Sequence, residues 1–211
     1  MSKEKIIRIY EERAKKIKTV DNKKVFLKEY RKSLLSNAKG QVLEVGVGRG
    51  TNFQFYPSKV KITAVDFSPS LLEIAKSTAI KEGIQVEFVV SDVEKLEFKE
   101  NSFDTIVSTL SLCAYDDPVK VLNNFNKLCK SDGQILLLEH GVSSNKLFGR
   151  ILNKFLNVID EWNVTNMGCH SNRDILKAVK ESNIKVERVE TCLLGTHYLI
   201  WAKSNHGRND Y

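Results

Sequence analysis

A glycine-rich stretch follows the first apolar run after position 40 and has the pattern of a ligand-binding loop. Gly46, Gly48 and Gly50 alternate with larger residues. Glycine is required where a Cβ atom would block a positive φ angle or the approach of a ligand to the backbone. Twenty residues after Gly46, Asp66 ends the next apolar run, where a carboxylate can accept hydrogen bonds from both hydroxyls of a ribose. This spacing predicts a site for an adenosine-containing ligand.

The position of the third glycine distinguishes between two such ligands. The dinucleotide pattern GxGxxG requires glycine at position 51, but that residue is Thr51 and the glycine is at position 50. Glu44 lies two residues before the first glycine. A carboxylate there disfavours a pyrophosphate, whereas it would attract the ammonium group of an amino acid. The pattern therefore favours an amino acid joined to adenosine over NAD.

A third acidic residue, Asp92, closes the third apolar run. It could accept a hydrogen bond from the amino group of adenine, beside the apolar side chains of Val93 and Phe67. Glu44, Asp66 and Asp92 would then mark the amino acid, the ribose and the adenine of one ligand.

Together these motifs resemble the class I S-adenosylmethionine-dependent methyltransferases, whose pattern is ExGxGxG followed by acidic residues that end the second and third strands. Segments 96–112 and 128–140 are similar to the family's fourth and fifth strand motifs, so the resemblance covers about residues 40 to 141. It implies S-adenosylmethionine as the cofactor, S-adenosylhomocysteine as the product and no metal. The cofactor-binding residues that it implies are Glu44, Gly46, Gly48, Gly50, Asp66, Phe67, Asp92, Val93 and Thr109.

Within that family the sequence is similar to the small-molecule branch, which contains bacterial phosphatidylethanolamine N-methyltransferases, quinone C-methyltransferases and thiol methyltransferases. The similar segments are 42–57, 108–118 and 136–141, together with Asp160, Asn163 and Thr165. The resemblance implies a small, lipophilic acceptor: a phospholipid amine, a quinone or a thiol. Two alternatives stay open, an NAD-dependent oxidoreductase and a non-catalytic module that binds S-adenosylmethionine or RNA.

Three residues are candidates for a role in the chemistry. Methyl transfer from a sulfonium depends largely on positioning, so a base is optional. His140 ends the fifth predicted strand and could take a proton from the acceptor, or could be a structural histidine. The same two interpretations apply to His170. Tyr10 lies in a segment that resembles the N-terminal lid of the lipid and quinone enzymes, although it could equally belong to the core.

The elements that must position these residues alternate along the chain. Strands are predicted at 41–48, 61–66, 86–92, 103–109, 133–141, 184–191 and 197–203, and helices at 3–17, 22–36, 69–81, 117–129, 147–159 and 171–182. Alternation of strands and helices predicts a parallel sheet. The short connection before the last strand predicts an antiparallel hairpin. The expected fold is α/β, a doubly wound, mostly parallel, seven-stranded Rossmann-like sheet with that hairpin at its C-terminal end.

Composition is consistent with one domain of 211 residues, divided into a helical arm (1–39), an α/β core (40–203) and a tail (204–211). Because 42% of the residues are apolar, the chain has enough apolar side chains to form a core. This composition excludes collagen-like and disordered proteins. The four cysteines form no CxxC pair, so their spacing predicts neither a zinc site nor a disulfide framework.

The arm carries 13 Lys and Arg against 5 Asp and Glu, a net charge of +8, which exceeds the +7 of the whole chain. Such an arm could contact an anionic membrane surface or form a solvated helix face, and nucleic acid is not the expected partner. The apolar face of helix 147–159 could roof an apolar pocket, touch a bilayer or pack in the core. We find no signal peptide, so the expected location is cytoplasmic, with peripheral membrane contact as an option. The oligomeric state is left open.

Overall fold

A seven-stranded sheet forms the centre of the protein in the computed structural model, which describes residues 2–16 and 25–206. The strands are β1 (Gln41–Val45), β2 (Lys61–Asp66), β3 (Val86–Val90), β4 (Phe103–Thr109), β5 (Cys129–His140), β6 (Lys185–Cys192) and β7 (His197–Lys203). Their order across the sheet is β3-β2-β1-β4-β5-β7-β6.

The first five strands pair in parallel, and β7 pairs antiparallel with both β5 and β6. The chain order reverses at β1, so the carboxyl ends of β1 and β4 meet at the point where a doubly wound sheet opens a crevice. The predicted fold class and the C-terminal hairpin are confirmed.

Within the described residues, six α-helices accompany the sheet: α1 (Lys3–Lys16), α2 (Lys28–Leu35), α3 (Pro69–Glu82), α4 (Pro118–Leu128), α5 (Gly149–Met167) and α6 (Ile175–Glu181). Local chemistry explains several of the helix ends. The hydroxyl of Ser68 accepts a hydrogen bond from the N–H of Leu71, and Pro69 occupies the first turn of α3. Asp117 caps α4 in the same way, through the N–H of Lys120.

The sheet buries apolar side chains on both faces, because consecutive strand residues point to opposite sides. Leu43 and Val45 of β1 belong to the core on one face, whereas Val42 packs with Val107 and Leu136 on the other. Both faces are covered, as a parallel sheet requires.

The boundaries differ from the sequence prediction in a few places. β1 ends at Val45 because the glycine loop begins there, and β5 begins at Cys129, directly after α4, rather than at residue 133. Helix α5 runs to Met167, eight residues beyond the predicted end, and stops where Gly168 adopts a left-handed conformation. The predicted start of the second helix at Asn22, the end of the first at Ile17 and the tail beyond residue 206 lie outside the described residues.

Candidate active site

The glycine loop connects the carboxyl end of β1 to a short 3₁₀ turn and adopts the backbone that its sequence predicts. Gly46, Gly48 and Gly50 all have positive φ angles. A Cβ atom on Gly46 would lie 2.7 Å from the Cβ of Ser111, and one on Gly50 would lie 2.5 Å from the ring of Phe53. At these two positions glycine is therefore required because a side chain would clash with neighbouring residues of the protein. A Cβ on Gly48 would meet no protein atom within 4 Å, so this residue borders open space.

That open space is a cleft of about 350 Å³, which continues into a narrower cavity of about 70 Å³. The residues that line both are Tyr10, Gly46, Gly48, Leu71 and Leu110. Arg31 and Thr109 line only the cleft, whereas Asp66, Phe67 and Val93 line only the cavity. The structure thus brings together predicted site residues from five separate parts of the chain.

Asp66 lines the cavity beside Gly48 and is buried. Its Oδ2 atom accepts a 2.8 Å hydrogen bond from the N–H of Gly48, and Oδ1 accepts one of 2.9 Å from the N–H of Ser68. Burial raises the pKa of Asp66, although these backbone hydrogen bonds act in the opposite direction. Each carboxylate oxygen has a further lone pair, so Asp66 retains the capacity to accept from two ribose hydroxyls.

Glu44 does not reach the cleft directly. It is fully buried beneath the glycine loop, where Oε1 accepts a 2.8 Å hydrogen bond from the amide of Asn52 and Oε2 accepts one of 2.9 Å from the hydroxyl of Tyr56. Burial raises the pKa of Glu44 to about 7. Its contact with an ammonium group stays a prediction, and its visible role is to hold Asn52, which does line the cleft.

Arg31 is a site residue that no motif in the sequence identifies. It lies on α2, is only 7% exposed and lines the cleft. Its Nη1 donates to Asn52 at 2.5 Å and to the hydroxyl of Thr109 at 3.2 Å, both neutral acceptors. Burial lowers the pKa of Arg31, so the guanidinium would gain from a negative charge in the cleft. In the sequence it is one of 13 basic residues of the arm, and nothing in their spacing distinguishes it.

Other residues that line the cavity are mostly apolar. Val93 is buried there, and the hydroxyl of Tyr115 is buried with no hydrogen-bond partner among the described residues. Asp92 stands to one side, where its Oδ1 pairs with Nζ of Lys3 at 2.9 Å and accepts from the N–H of Glu94. Its contact with adenine stays a prediction. The unpaired Tyr115 hydroxyl is a polar group that a bound ligand could satisfy.

Tyr10 covers the cavity from α1. Its ring packs edge-to-face against Phe67, with 5.3 Å between the centroids. One turn of the same helix is attached to α3, because Glu11 accepts hydrogen bonds from the hydroxyls of Ser68 and Ser70. Burial raises the pKa of Tyr10, which keeps its hydroxyl protonated. Tyr10 is therefore placed as a cover and a hydrogen-bond donor rather than as a base.

The two candidate histidines have different surroundings. His140 ends β5 beside the thiol groups of Cys113 and Cys169. Burial acts to lower the pKa of His140, but its hydrogen bond and charge interaction with Cys169 outweigh this and raise it. His170 instead lies with Nδ1 2.8 Å from Oδ2 of Asp160, a contact that joins its loop to helix α5.

The site as a whole has the parts that S-adenosylmethionine requires. The Arg31 guanidinium suits the carboxylate of its methionine portion, and Asp66 suits its ribose. The apolar side chains of Val93 and Phe67 line the cavity and suit adenine, and Gly48 leaves the backbone open to the ligand. The residues present therefore fit this cofactor.

Comparison with known proteins agrees with this geometry. Residues 43–137 match the family described as a methyltransferase domain. A mitochondrial methyltransferase of Saccharomyces cerevisiae is 34% identical over 92% of this chain and 45% of its own length. A thiol S-methyltransferase of Rattus norvegicus is 32% identical over 71% of this chain and 62% of its own. The chain thus spans about half to two thirds of the length of these relatives.

Two further similarities concern the acceptor and the fold. A phosphatidylethanolamine N-methyltransferase of Cereibacter sphaeroides is 31% identical over 48% of this chain and 51% of its own length. The crystal structure of a geranyl diphosphate C-methyltransferase from Streptomyces coelicolor, determined with S-adenosylhomocysteine, superposes with a TM-score of 0.64 at 13% identity. The superposition covers 83% of this chain and 74% of the Streptomyces coelicolor chain. Residues 43–137 are therefore a methyltransferase domain, and the chain around them has the fold of the class I S-adenosylmethionine-dependent methyltransferases, as the motifs predict.

Proposed function

We propose that the protein transfers a methyl group from S-adenosylmethionine to a small, lipophilic acceptor. The observation that carries this proposal is the placement of Arg31 and Asp66 on either side of Gly48. The buried cation Arg31 lines the cleft and the buried carboxylate Asp66 lines the adjoining cavity, and the two suit the carboxylate and the ribose of the cofactor. Thr51, at the position where the dinucleotide pattern requires glycine, disfavours the oxidoreductase alternative.

The cofactor would supply an electrophilic methyl carbon on a positively charged sulfur. The protein's part is to hold both reactants and to exclude water. Tyr10 and Phe67 cover the cavity, and the buried network of Arg31, Asn52 and Thr109 is fixed before a ligand arrives. His140, at the end of β5, is not among the residues that line the cleft or the cavity, so its predicted role as a proton acceptor stays a prediction and forms no part of this proposal.

Helix α5 supports a lipophilic acceptor and a location at a membrane surface. Only Gly149 of this helix is fully buried; Leu152, Leu156 and Ile159 are half-buried, and other large apolar residues are exposed. Those that are exposed recur every three or four residues and make one stripe: Phe148, Ile151, Phe155, Val158 and Trp162. Arg150 and Lys154 lie on the same helix. An exposed apolar stripe beside basic residues is typical of helices that lie in the plane of a membrane surface.

None of the helices within residues 2–16 and 25–206 is long and apolar enough to cross a bilayer. We therefore propose peripheral contact, made by the α5 stripe and strengthened by the basic arm where the lipid is anionic. The relatives named as thiol and phosphatidylethanolamine methyltransferases support an acceptor of this class. Cytoplasmic location stays a prediction.

The deciding experiment is a turnover assay with methyl-labelled S-adenosylmethionine and three acceptors: an alkanethiol, phosphatidylethanolamine vesicles and a reduced quinone lacking its ring methyl. We expect S-adenosylhomocysteine and a labelled product with one of them, and a lower rate with the Asp66→Asn variant at cofactor concentrations below saturation. Tight binding of S-adenosylmethionine without turnover on any acceptor would instead indicate the non-catalytic alternative. Absence of binding would contradict the proposed function itself.

A further inference from the structure

We propose that Cys113, His140 and Cys169 form a binding site for a zinc ion, with a fourth coordination position left open. The two sulfur atoms and an imidazole nitrogen all lie within 4.8 Å of one another. The three residues come from the 3₁₀ turn after β4, the end of β5 and the loop after α5. Local sequence spacing predicts no zinc site, because the three ligands meet only in the folded chain.

The donor set suits zinc. Cysteine sulfur and histidine nitrogen are its usual ligands, and two cysteines with one histidine plus an exchangeable fourth ligand is an arrangement found in catalytic zinc sites. With a zinc–sulfur distance of about 2.3 Å, tetrahedral geometry places two sulfur atoms ~3.8 Å apart. Ligand atoms that already lie within 4.8 Å reach this arrangement with shifts on the order of 1 Å.

The backbone holds the ligands together without a metal. The N–H of His170 donates a 2.9 Å hydrogen bond to the carbonyl oxygen of Cys113, which joins the segments that carry the two cysteines. Asp160 then fixes the loop around Cys169, because its carboxylate accepts from the N–H of Ser171 at 2.6 Å and contacts the ring of His170. A metal site needs such supporting contacts to orient its ligands.

An ion can bind to the cluster whether or not its cysteines are ionised beforehand, because zinc displaces the thiol protons when it binds. The side chain of Cys169 is only half-buried, so an ion can reach it.

The cluster borders the cleft but shares no residue with it. Ser111 and Ala114, on either side of Cys113, line the cavity that contains Asp66. Gly168, which precedes Cys169, packs against Tyr10, since a Cβ there would lie 2.9 Å from the tyrosine ring. A metal at this position would therefore lie next to the covered end of the site, and its open position is available to water or to another ligand.

The test is metal binding by the whole chain, after reduction and removal of metals with a chelator. Titration with Co²⁺ is expected to saturate at one ion per chain, to give the sulfur-to-cobalt absorption and the intense visible bands of a tetrahedral site, and to be reversed by Zn²⁺. Cys169→Ser and His140→Asn should each weaken Zn²⁺ binding by at least about tenfold.

Cys129→Ser is the matched control, because it removes a buried thiol at the opposite end of the strand that His140 ends. It should bind the metal as the wild type does, and thermal melting checks that every variant is folded. Thiol titration must first show that all four cysteines are reduced, which excludes a Cys113–Cys169 disulfide as the cause of a failure. If the reduced wild type then takes up no more Co²⁺ than Cys169→Ser, the proposal is wrong. Because the readout is metal binding, the result does not depend on methyl transfer.

Discussion

The backbone N–H of Gly48 donates a 2.8 Å hydrogen bond to Oδ2 of Asp66, so the glycine loop after β1 is fixed to the end of β2. The two strongest ligand-binding motifs of the sequence are thus one structural unit in the absence of ligand. A change in either motif is expected to alter the position of the other, and experiments on the cofactor site must separate loss of ligand contacts from loss of this internal contact.

Asp66→Asn should weaken binding of S-adenosylmethionine at least tenfold, because hydrogen bonds to a charged group contribute roughly 1.5 to 3 kcal/mol each. The carboxylate of Asp66 also accepts two backbone hydrogen bonds, which Asp66→Ala would remove. The alanine variant should therefore lose about 1–3 kcal/mol of unfolding free energy as well. Calorimetric titration and urea unfolding measure the two effects. Unchanged affinity in Asp66→Asn would remove Asp66 from the site.

Gly48→Val should abolish cofactor binding, because its side chain would project into the open cleft rather than into the protein. The positive φ angle of Gly48 strains any other residue, so the melting temperature should fall too. Gly83→Val is the control, since Gly83 ends α3 with a similar φ and also has open space around it. It should lower stability comparably but leave binding intact. NADH should bind to none of these proteins.

Arg31→Met should weaken binding of S-adenosylmethionine by about ten- to a hundredfold, the effect of removing one charge-assisted contact. The matched ligand is methylthioadenosine, which has the ribose and adenine but no amino acid. Its affinity should be the same for the variant and the wild type. An equal loss for both ligands would mean that Arg31 supports the cleft through Asn52 and Thr109 and does not bind the carboxylate.

Glu139 gives the protein a specific dependence on pH. It is fully buried, and burial raises its pKa to about 7, whereas an unfolded glutamate titrates near 4.3. Between these values the folded state holds more protons, so the free energy of unfolding falls as pH rises from about 4.5 to about 7. Relative to Glu139→Gln, the wild type should lose on the order of 1–3 kcal/mol across that interval. A difference that is constant with pH would contradict the raised pKa.

Binding to vesicles tests the proposed membrane contact. Phe155→Ser with Trp162→Ser should reduce cosedimentation with anionic vesicles without changing cofactor affinity, because both side chains are exposed on α5. Ile80→Ser is the control, an equally exposed apolar residue on α3. Added salt should weaken binding further, since contributions of roughly 1 kcal/mol per basic residue act only within a Debye length of about 10 Å at 0.1 M. No binding by the wild type at low salt would favour a soluble acceptor.

The cofactor end of the site could be predicted because its signals are local. A pattern of glycines and an acidic residue at a strand end can each be recognised in a segment of ten residues. The parallel sheet then brings the strand ends together. Arg31 could not be predicted, since its role arises from the packing of α2 against β5 and β7, which brings the side chain to Asn52 and Thr109. The cluster around His140 was missed for the same reason, because Cys113 and Cys169 are separated by more than fifty residues.

Helix α5 shows a different limit of sequence reasoning. Its apolar periodicity predicts a helix with one apolar face, and this is what the structure has, but periodicity cannot tell whether that face meets the core or the outside. Whether the apolar face is buried depends on the elements that pack around the helix. Here the sheet is already covered by other helices, and the stripe that contains Phe155 and Trp162 is left exposed.

Because Trp162 is exposed on α5, the intrinsic tryptophan fluorescence of the protein can report a change in the surroundings of this helix. The chain has two tryptophans, and the second, Trp201, lies in β7 with its ring under the guanidinium of Arg188, 4.6 Å from the ring centre. Indole emission moves to shorter wavelength when the ring leaves water. A blue shift of the intrinsic fluorescence would therefore report burial of α5 by lipid or by another surface, with no attached dye, while Trp201 gives a constant background.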